Sequence, residues 1–171
     1  MASYFFGKRY VTKYLKNQFP IHSTCLDVGA NNAKWFKLLG NHFVMDGVEA
    51  WKPYIVKYKL NDKYRKLIHA NIKDVEDFDY DLIIMGDILE HMSVEDGQEV
   101  VKRMYPKCKE LVIAVPFKYK QGAIHGNPFE VHLQPDLTPE IFDERYPGFK
   151  ALWKNRFYAY YIKDTNYKKN K

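Results

Sequence analysis

A change in hydropathy pattern over residues 23–39 restricts the possible folds of this chain more than any other feature. Residues 25–28 (CLDV) form a short, mostly apolar run, which is typical of a buried parallel strand. The loop over residues 29–32 (GANN) holds glycine and asparagine, which adopt positive φ at low cost, and apolar side chains recur at helical spacing from Ala33. Strand, tight turn and helix in this order begin an open α/β fold, in which ligands bind beyond the carboxyl ends of the strands.

An acid precedes this turn, because Asp27 lies two residues before Gly29. A loop that binds phosphate uses backbone N–H groups and a Lys or Arg, and residues 29–34 (GANNAK) lack the G-x-G-x-x-G spacing of dehydrogenases. A carboxylate suits a ligand that carries ammonium, sulfonium and ribose hydroxyl groups. The stretch therefore indicates S-adenosylmethionine rather than ATP or NAD. A plain strand, turn and helix with an incidental Asp27 is the structural alternative.

The next apolar stretch, over residues 42–49, predicts a second strand that ends in an acid. Glu49 follows Asp27 by 22 residues. At this spacing a carboxylate at the end of a second strand accepts hydrogen bonds from both ribose hydroxyls. The alternative is an exposed glutamate at the start of a helix, where the helix dipole favours it. Strand context and spacing together favour ribose binding.

The rest of the chain alternates strand and helix patterns and ends in a hairpin. Predicted helices cover residues 3–18, 33–39, 50–61, 94–105 and the stretch after Thr138, and further strands cover residues 67–70, 81–85 and 111–115. Residues 149–163 alternate aromatic and polar side chains around Asn155. These patterns predict an α/β fold, a doubly wound and mainly parallel seven-stranded sheet with helices on both faces and the last strand antiparallel.

Length and composition predict one domain over residues 1–171, with a leading helix in residues 1–19 and a basic tail in residues 164–171. The net charge of +6 comes from scattered lysines, which form either a solvated surface or a contact surface for a polyanion. No apolar stretch approaches the roughly 18 residues of a membrane span, and the N-terminus has no signal-peptide pattern. The two cysteines are expected to be buried, reduced thiols. We therefore expect a soluble, cytoplasmic protein without a membrane partner.

Four stretches together resemble the class I S-adenosylmethionine-dependent methyltransferases. They are LDVGA at residues 26–30, GVEA at residues 47–50, DLIIMGDILEHM at residues 81–92 and the closing hairpin. In the family's glycine loop, D-x-G-x-G-x-G, Asp27 and Gly29 match, whereas Asn31 and Ala33 replace the later glycines. The resemblance covers nearly the whole chain, and it implies the sheet order 3-2-1-4-5-7-6 and S-adenosylmethionine as the cofactor.

The resemblance also implies which residues hold the cofactor. Asp27, Gly29 and Ala30 are expected beside the methionine and ribose, Glu49 at the ribose, Asn71 and Ile72 beside adenine, and Gly86, Asp87 and His91 at the sulfonium end. Asn31 and Ala50, which neighbour these positions, complete the predicted cofactor-binding set.

Residues 117–136 lack helical or strand periodicity, and a loop of this length in a compact domain is usually functional. It follows the fifth strand on the predicted cofactor side, so we expect it at the substrate. Candidate general bases for the methyl acceptor are His91, His125, Glu130 and His132. Glu130 and His132 face the same side of an extended chain, which allows the carboxylate to orient the imidazole. Structural hydrogen bonding is the alternative for each, and no metal site is expected because no zinc-ligand spacing is present.

Three functions remain open from the sequence. The leading hypothesis is in-line methyl transfer to a small molecule or saccharide, because the LEH segment at residues 89–91 is frequent among family members with such acceptors. An RNA or protein methyltransferase would use the basic surface, although residues 86–89 (GDIL) and the lack of a Pro-Cys pair disfavour base-methylating types. The incomplete glycine pattern motivates the third hypothesis, a non-catalytic S-adenosylmethionine-binding module. Neither the acceptor nor the oligomeric state follows from the sequence.

Overall fold

The computed structural model describes residues 5–167, which contain a seven-stranded sheet. Its strands are β1 (Thr24–Val28), β2 (Val44–Val48), β3 (Leu67–Ile68), β4 (Tyr80–Gly86), β5 (Cys108–Pro116), β6 (Phe149–Lys154) and β7 (Tyr158–Lys163). The strand order is β3-β2-β1-β4-β5-β7-β6. Strands β1 to β5 run parallel, and β7 runs antiparallel to both β5 and β6. The predicted fold class and strand order are confirmed.

Helices cover both faces of the sheet, as predicted. They are α1 (Phe5–Gln18), α2 (Lys34–Leu39), α3 (Lys52–Lys57), α4 (Val94–Met104) and α5 (Pro139–Arg145). Leu15 of α1 and Leu39 of α2 belong to one buried cluster, and Met104 of α4 and Phe142 of α5 belong to the cluster on the opposite face. Burying a side chain of this size contributes about 1.5–3 kcal/mol to stability. The two clusters hold the sheet between them.

Strand β2 is shorter than the predicted residues 42–49, and α3 and β3 are also shorter than the sequence predicts. α3 ends at Lys57 because Lys59 adopts a left-handed backbone conformation (φ 50°) that interrupts the helix. Strand β3 has two residues, after which Asn71 caps a 3-10 turn by accepting a hydrogen bond from the backbone N–H of Lys73. The early end of β3 places Asn71 at the edge where the parallel strands finish.

The loop over residues 117–136 contains a short 3-10 turn at Pro128–Glu130 and otherwise lacks helix and strand within the described chain. It ends at a well-defined helix start, since the Thr138 side chain accepts a hydrogen bond from the backbone N–H of Ile141 at 3.2 Å. Pro139 occupies the first turn of α5, as predicted. Both ends of the loop are therefore fixed, by β5 and by α5.

Residues 1–4 of the predicted leading helix and residues 168–171 of the predicted basic tail lie outside the described residues. Cys25 is buried as expected, whereas Cys108 is only half-buried because it begins β5 at the rim of the core. Among the helices of residues 5–167, none combines the length and apolar character needed to cross a membrane.

Candidate functional site

A cleft opens where β1, β2 and β4 end, because parallel strands bring their carboxyl ends to one edge of the sheet. Ten of the eleven predicted cofactor-binding residues line it, namely Gly29, Ala30, Asn31, Glu49, Ala50, Asn71, Ile72, Gly86, Asp87 and His91. Of the four candidate bases, His91, Glu130 and His132 line it as well. Asp27 and His125 do not belong to the lining.

The glycine loop keeps its turn although two of its glycines are replaced. Gly29, Asn31 and Ala33, which occupy the three glycine positions of the resembled pattern, all have positive φ, at 72°, 42° and 58°. An alanine in this conformation costs about 1–2 kcal/mol. The N–H groups of Gly29 and Ala30 both donate to the carbonyl oxygen of Val48 at 2.9 Å, which ties the loop to the end of β2. The loop shape is therefore preserved at some cost in stability.

Glu49 lies at the centre of this edge and is only 6% exposed. Its Oε2 accepts a hydrogen bond from the backbone N–H of Asn31 at 2.8 Å, and its Oε1 accepts one from that of Trp51 at 2.7 Å. Burial raises the pKa of the Glu49 carboxyl. Because each carboxylate oxygen has two acceptor positions, the positions that backbone N–H groups do not occupy can accept from a ligand that lies in the cleft. This arrangement suits a pair of neighbouring hydroxyl groups.

Asp27 is buried and does not belong to the cleft lining, so its contact with the methionine and ribose stays a prediction. Side chains alternate along a strand, so Asp27 shares a face of β1 with the buried Cys25. Its Oδ2 accepts a hydrogen bond from the Tyr64 hydroxyl at 2.6 Å, and its side chain is 1% exposed. Burial raises the pKa of Asp27 to about 7. The acid is a buried partner of Tyr64 beneath the glycine loop.

Asp87 follows β4 and has a left-handed backbone (φ 59°), a conformation in which Asp is enriched. Its Oδ1 accepts a hydrogen bond from the Tyr158 hydroxyl at 2.5 Å. The preceding Gly86 has no room for a side chain, because a Cβ there would lie 2.3 Å from Nε1 of Trp35. Tyr158 was not predicted as a site residue, although its place at the start of the strand beside β5 is a usable signal.

Lys8 of α1 also lines the cleft and was missed in the sequence. It is 8% exposed, and its ammonium lies 4.9 Å from the centre of the Trp35 ring. Burial lowers the pKa of Lys8 to about 8. Helical spacing could have found it, because Lys8 lies three and seven residues before the buried Val11 and Leu15 and so shares their face.

The imidazoles of His91 and His132, which both line the cleft, meet edge to face with ring centres 4.6 Å apart. Nδ1 of His91 lies 3.2 Å from the carbonyl oxygen of Val131, and Nδ1 of His132 lies 2.8 Å from that of Tyr119. A carbonyl only accepts, so we assign the proton to Nδ1 in both rings, which leaves a lone pair on each Nε2. Burial lowers the pKa of both imidazoles and favours their neutral form.

Glu90 is a third member of this group that the sequence did not single out. It is 1% exposed, and burial raises the pKa of its carboxyl well above the usual range. Its backbone carbonyl accepts hydrogen bonds from the N–H groups of Leu133 and Gln134, at 2.8 and 3.1 Å. Its position between Leu89 and His91 in the LEH segment was the available signal.

Glu130 fastens the loop over residues 117–136 to the cofactor side of the cleft. Its Oε1 accepts hydrogen bonds from Nδ2 of Asn31 and from the Tyr54 hydroxyl, both at 3.3 Å, and its Oε2 accepts one from Nε2 of Gln121 at 3.2 Å. The predicted pairing in which Glu130 orients His132 is corrected, because the Nδ1 atom of His132 instead donates to a backbone carbonyl. The Glu130 carboxylate therefore links the loop to Asn31 and Tyr54 by hydrogen bonds.

His125 is the other candidate base that the structure does not bring to the cleft. It lies exposed at the tip of a turn with φ 52°, beside Gly126. The turn is closed by a bridge between Ile124 and Asn127, and His125 is not among the residues that line the cleft. The structure therefore does not bring His125 together with the other candidate bases.

Neither a protein-family model nor a curated protein sequence matches the chain, whereas many solved structures do. The 1,6-didemethyltoxoflavin-N1-methyltransferase of Burkholderia thailandensis, with bound 1,6-didemethyltoxoflavin and S-adenosylhomocysteine, aligns with a TM-score of 0.67 and 13% identity over 92% of this chain and 77% of that chain. Magnesium protoporphyrin IX methyltransferase of Synechocystis PCC 6803, with bound SAM, aligns with a TM-score of 0.60 and 10% identity over 93% and 81%.

A proposed O-methyltransferase from Nostoc punctiforme PCC 73102 aligns with a TM-score of 0.63 and 12% identity over 92% of this chain. The chain spans 56% of the length of that protein. At these identities the similarity concerns the fold. The chain therefore has the fold of the class I S-adenosylmethionine-dependent methyltransferases, as its motifs predict.

Proposed function

We propose that the protein is an S-adenosylmethionine-dependent methyltransferase that acts on a small-molecule or saccharide acceptor. The observation that carries the proposal is the buried Glu49 carboxylate, held at the cleft by the N–H groups of Asn31 and Trp51. The vicinal hydroxyls of a ribose supply the two donors that fill its remaining acceptor positions. The fold is shared with structures that hold SAM or S-adenosylhomocysteine, which supports the same ligand here.

In this proposal the methionine part of the donor lies between Lys8 and Asp87. Oδ1 of Asp87 already accepts the Tyr158 hydroxyl, so its second oxygen is placed to accept the α-ammonium. The Lys8 ammonium is the opposite charge that an α-carboxylate requires. Asn71 and Ile72 would contact adenine from the end of β3. Charge pairing with the α-ammonium and the α-carboxylate would then anchor the methionine part and so position the sulfonium in the cleft.

Methyl transfer requires alignment more than activation, because the sulfonium already activates the methyl carbon. A lone pair of the acceptor forms the new bond as the carbon–sulfur bond breaks, and the bonding electrons stay on sulfur as neutral S-adenosylhomocysteine. A hydroxyl or amine acceptor also loses a proton. The Nε2 lone pair of His91 or His132 is a proton acceptor at the correct end of the cleft.

A small acceptor is supported by the loop over residues 117–136, which Glu130 fastens across the cleft to Asn31 and Tyr54. Crystals of one structural neighbour, the N-terminal domain of EvdMO1, were obtained in the presence of D-fucose, and the toxoflavin enzyme holds its substrate. The basic residues Arg9, Lys13, Lys16 and Lys37 line a separate depression and not the cleft, within the chain described. We therefore prefer a small acceptor to a polyanion.

The test has two steps. Calorimetric titration of the protein with S-adenosylmethionine and with S-adenosylhomocysteine should show one site for each. Incubation with a methyl-labelled donor should then transfer label to pools of small molecules or sugars, and not to RNA or protein. Binding with no transfer to any pool would leave a non-catalytic module, and no binding of either compound would refute the proposal.

A further inference from the structure

Glu90, His91 and His132 form a cluster of metal-ligating side chains at the acceptor end of the cleft. Glu90 and His91 lie on the 3-10 turn Leu89–His91 that follows β4, and His132 comes from the loop after β5. One potential ligand atom from each residue lies within 4.8 Å of the other two. All three side chains are at least half-buried, so the cluster is a built feature of the interior wall rather than a surface coincidence.

No basic group is among the charged groups that act most strongly on the Glu90 carboxylate, within the described residues. Its Oε2 has no hydrogen-bond partner among the described residues, although the side chain is 1% exposed. The charged groups that act on it most strongly are Asp87 and Glu130, which are also acidic. An ionised carboxylate taken out of water costs several kcal/mol unless a cation or hydrogen bonds compensate it. A bound cation would supply that compensation and would displace the proton that burial otherwise favours on this carboxyl.

Both imidazoles are oriented as metal-bound histidines are. A histidine that binds a metal through one ring nitrogen almost always donates its other N–H to a carboxylate, a carbonyl or water. Here the Nδ1 atoms of His91 and His132 face the carbonyl oxygens of Val131 and Tyr119, so both Nε2 lone pairs are left for another partner. The orientation is fixed before any ion binds.

We propose that Glu90, His91 and His132 bind one divalent transition-metal ion, with coordination positions left open toward the cleft. Two imidazoles and one carboxylate are a known ligand set for metals that keep an exchangeable site. Imidazole ligands favour ions such as Zn²⁺ and Co²⁺ over Mg²⁺ and Ca²⁺, which prefer oxygen. The inference goes beyond the proposed function and does not rest on it, since metal binding can be measured without donor or acceptor.

The ion would give the acceptor end a specific task. Ligand atoms around a tetrahedral ion at roughly 2.1 Å are about 3.4 Å apart, so the three ligand atoms, which lie within 4.8 Å of one another, would approach by up to about 1.4 Å on binding. An acceptor hydroxyl that joined the open position would be polarised and would lose its proton to water in the cleft, and its oxygen would then attack the methyl carbon. The two histidines would act as ligands instead of bases. His91 and His132 are 41 residues apart, so no local zinc spacing signals the site.

The test uses the full, tag-free chain after treatment with a chelator and dialysis. Titration with Co²⁺ alone should give visible d–d absorption that saturates at one ion per chain and is lost on addition of Zn²⁺. Glu90→Gln and His132→Gln should each weaken Co²⁺ binding more than about 100-fold, beyond the 10–100-fold effect of outer partners. His125→Gln, on the same loop but outside the cluster, should bind as the unaltered protein does.

Absence of stoichiometric Co²⁺ binding to the folded, unaltered chain would overturn the proposal. So would Co²⁺ binding that both variants retain, or Co²⁺ binding from which Mg²⁺ displaces the ion as readily as Zn²⁺ does. Circular dichroism checks that each variant is folded. If Glu90→Gln does not fold, His132→Gln decides, because its side chain comes from the loop. Titration of the same preparations with S-adenosylhomocysteine reports on the cofactor site separately, so failure of the metal site and failure of the proposed function give different results.

Discussion

The two ends of the cleft are built in different ways. The end around residues 29–31 and Glu49, where the proposed function places the methyl donor, is called the donor end. There the N–H groups of the glycine loop donate hydrogen bonds to the Val48 carbonyl and the Glu49 carboxylate at the end of β2. The acceptor end joins side chains on the turn after β4 to His132 on a distant loop. Loops carry variable function on a rigid scaffold. Under the proposed function, this contrast leads us to expect that the fold determines donor binding and that the loop determines which acceptor is methylated.

The largest expected effect separates the two ends by function. His132→Ala should lower turnover about 10²- to 10⁴-fold, the usual range for loss of a group that assists proton removal, and should leave the affinity for S-adenosylhomocysteine unchanged. The matched control is His125→Ala, which changes an exposed residue of the same loop and should leave both quantities unaltered. Normal turnover in His132→Ala would make the acceptor end purely structural.

A change beneath the donor end should alter the pH dependence of stability. The Asp27 carboxyl has a pKa of about 7 in the folded protein and near 3.8 in the unfolded chain. Between about pH 4 and pH 7 the folded protein therefore holds a proton on Asp27 that the unfolded chain has lost. Its stabilising contribution is complete below about pH 4 and is lost as pH rises to 7, by about 4 kcal/mol at most. Asp27→Asn keeps an acceptor for Tyr64 and should remove this slope. Urea unfolding of both proteins from pH 4 to 8 measures the unfolding free energy at each pH. The same pH dependence in Asp27→Asn and in the unaltered protein would contradict the assigned burial of Asp27.

Two glycines with the same backbone conformation allow a matched test of the donor loop. Gly29 and Gly126 have φ of 72° and 73°, but a Cβ at Gly29 would lie 2.0 Å from Cδ1 of Ile88, whereas one at Gly126 meets nothing within 4 Å. Gly29→Ala should cost about 2–4 kcal/mol of unfolding free energy from strain and overlap, against about 1 kcal/mol for Gly126→Ala. Equal losses would show that the loop at residue 29 has room to move.

The smallest effect concerns the donor alone. Glu49→Ala should weaken S-adenosylhomocysteine binding by about 1–3 kcal/mol, because the ribose hydroxyls lose their acceptors. Turnover at saturating donor should change less than it does in His132→Ala. Calorimetry on Glu49→Ala provides the affinity, and an unchanged value would remove Glu49 from the donor site.

The sequence predicts the donor end well because that end depends on local order along the chain. Glu49 follows from its spacing after Asp27 at the end of a second strand, and the short run GANN predicts the turn. The side on which Asp27 points follows from strand alternation and from Tyr64, a partner 37 residues away. That long-range partner is not visible in the local pattern, which is why the sequence did not predict the burial of Asp27 outside the cleft lining.

The acceptor end could be predicted only in part. His91 and His132 were candidates on their chemistry, but the carbonyl partners that orient them come from loop segments without periodicity. Glu90 was missed although it lies in the LEH segment, because nothing in the local pattern shows that its side chain is buried. Helical spacing could have shown that Lys8 faces inward, since it lies on the stripe of Val11. Side-chain placement on loops depends on tertiary contacts that no short sequence window contains.

The central claim is that the edge of the sheet between Glu49 and Asp87 receives S-adenosylmethionine. A crystal structure of the protein with S-adenosylhomocysteine tests it most directly. The account predicts both ribose hydroxyls within hydrogen-bond distance of the Glu49 carboxylate, with the thioether sulfur on the side of His91 and His132. A ligand bound elsewhere, or one whose ribose does not reach Glu49, would contradict it.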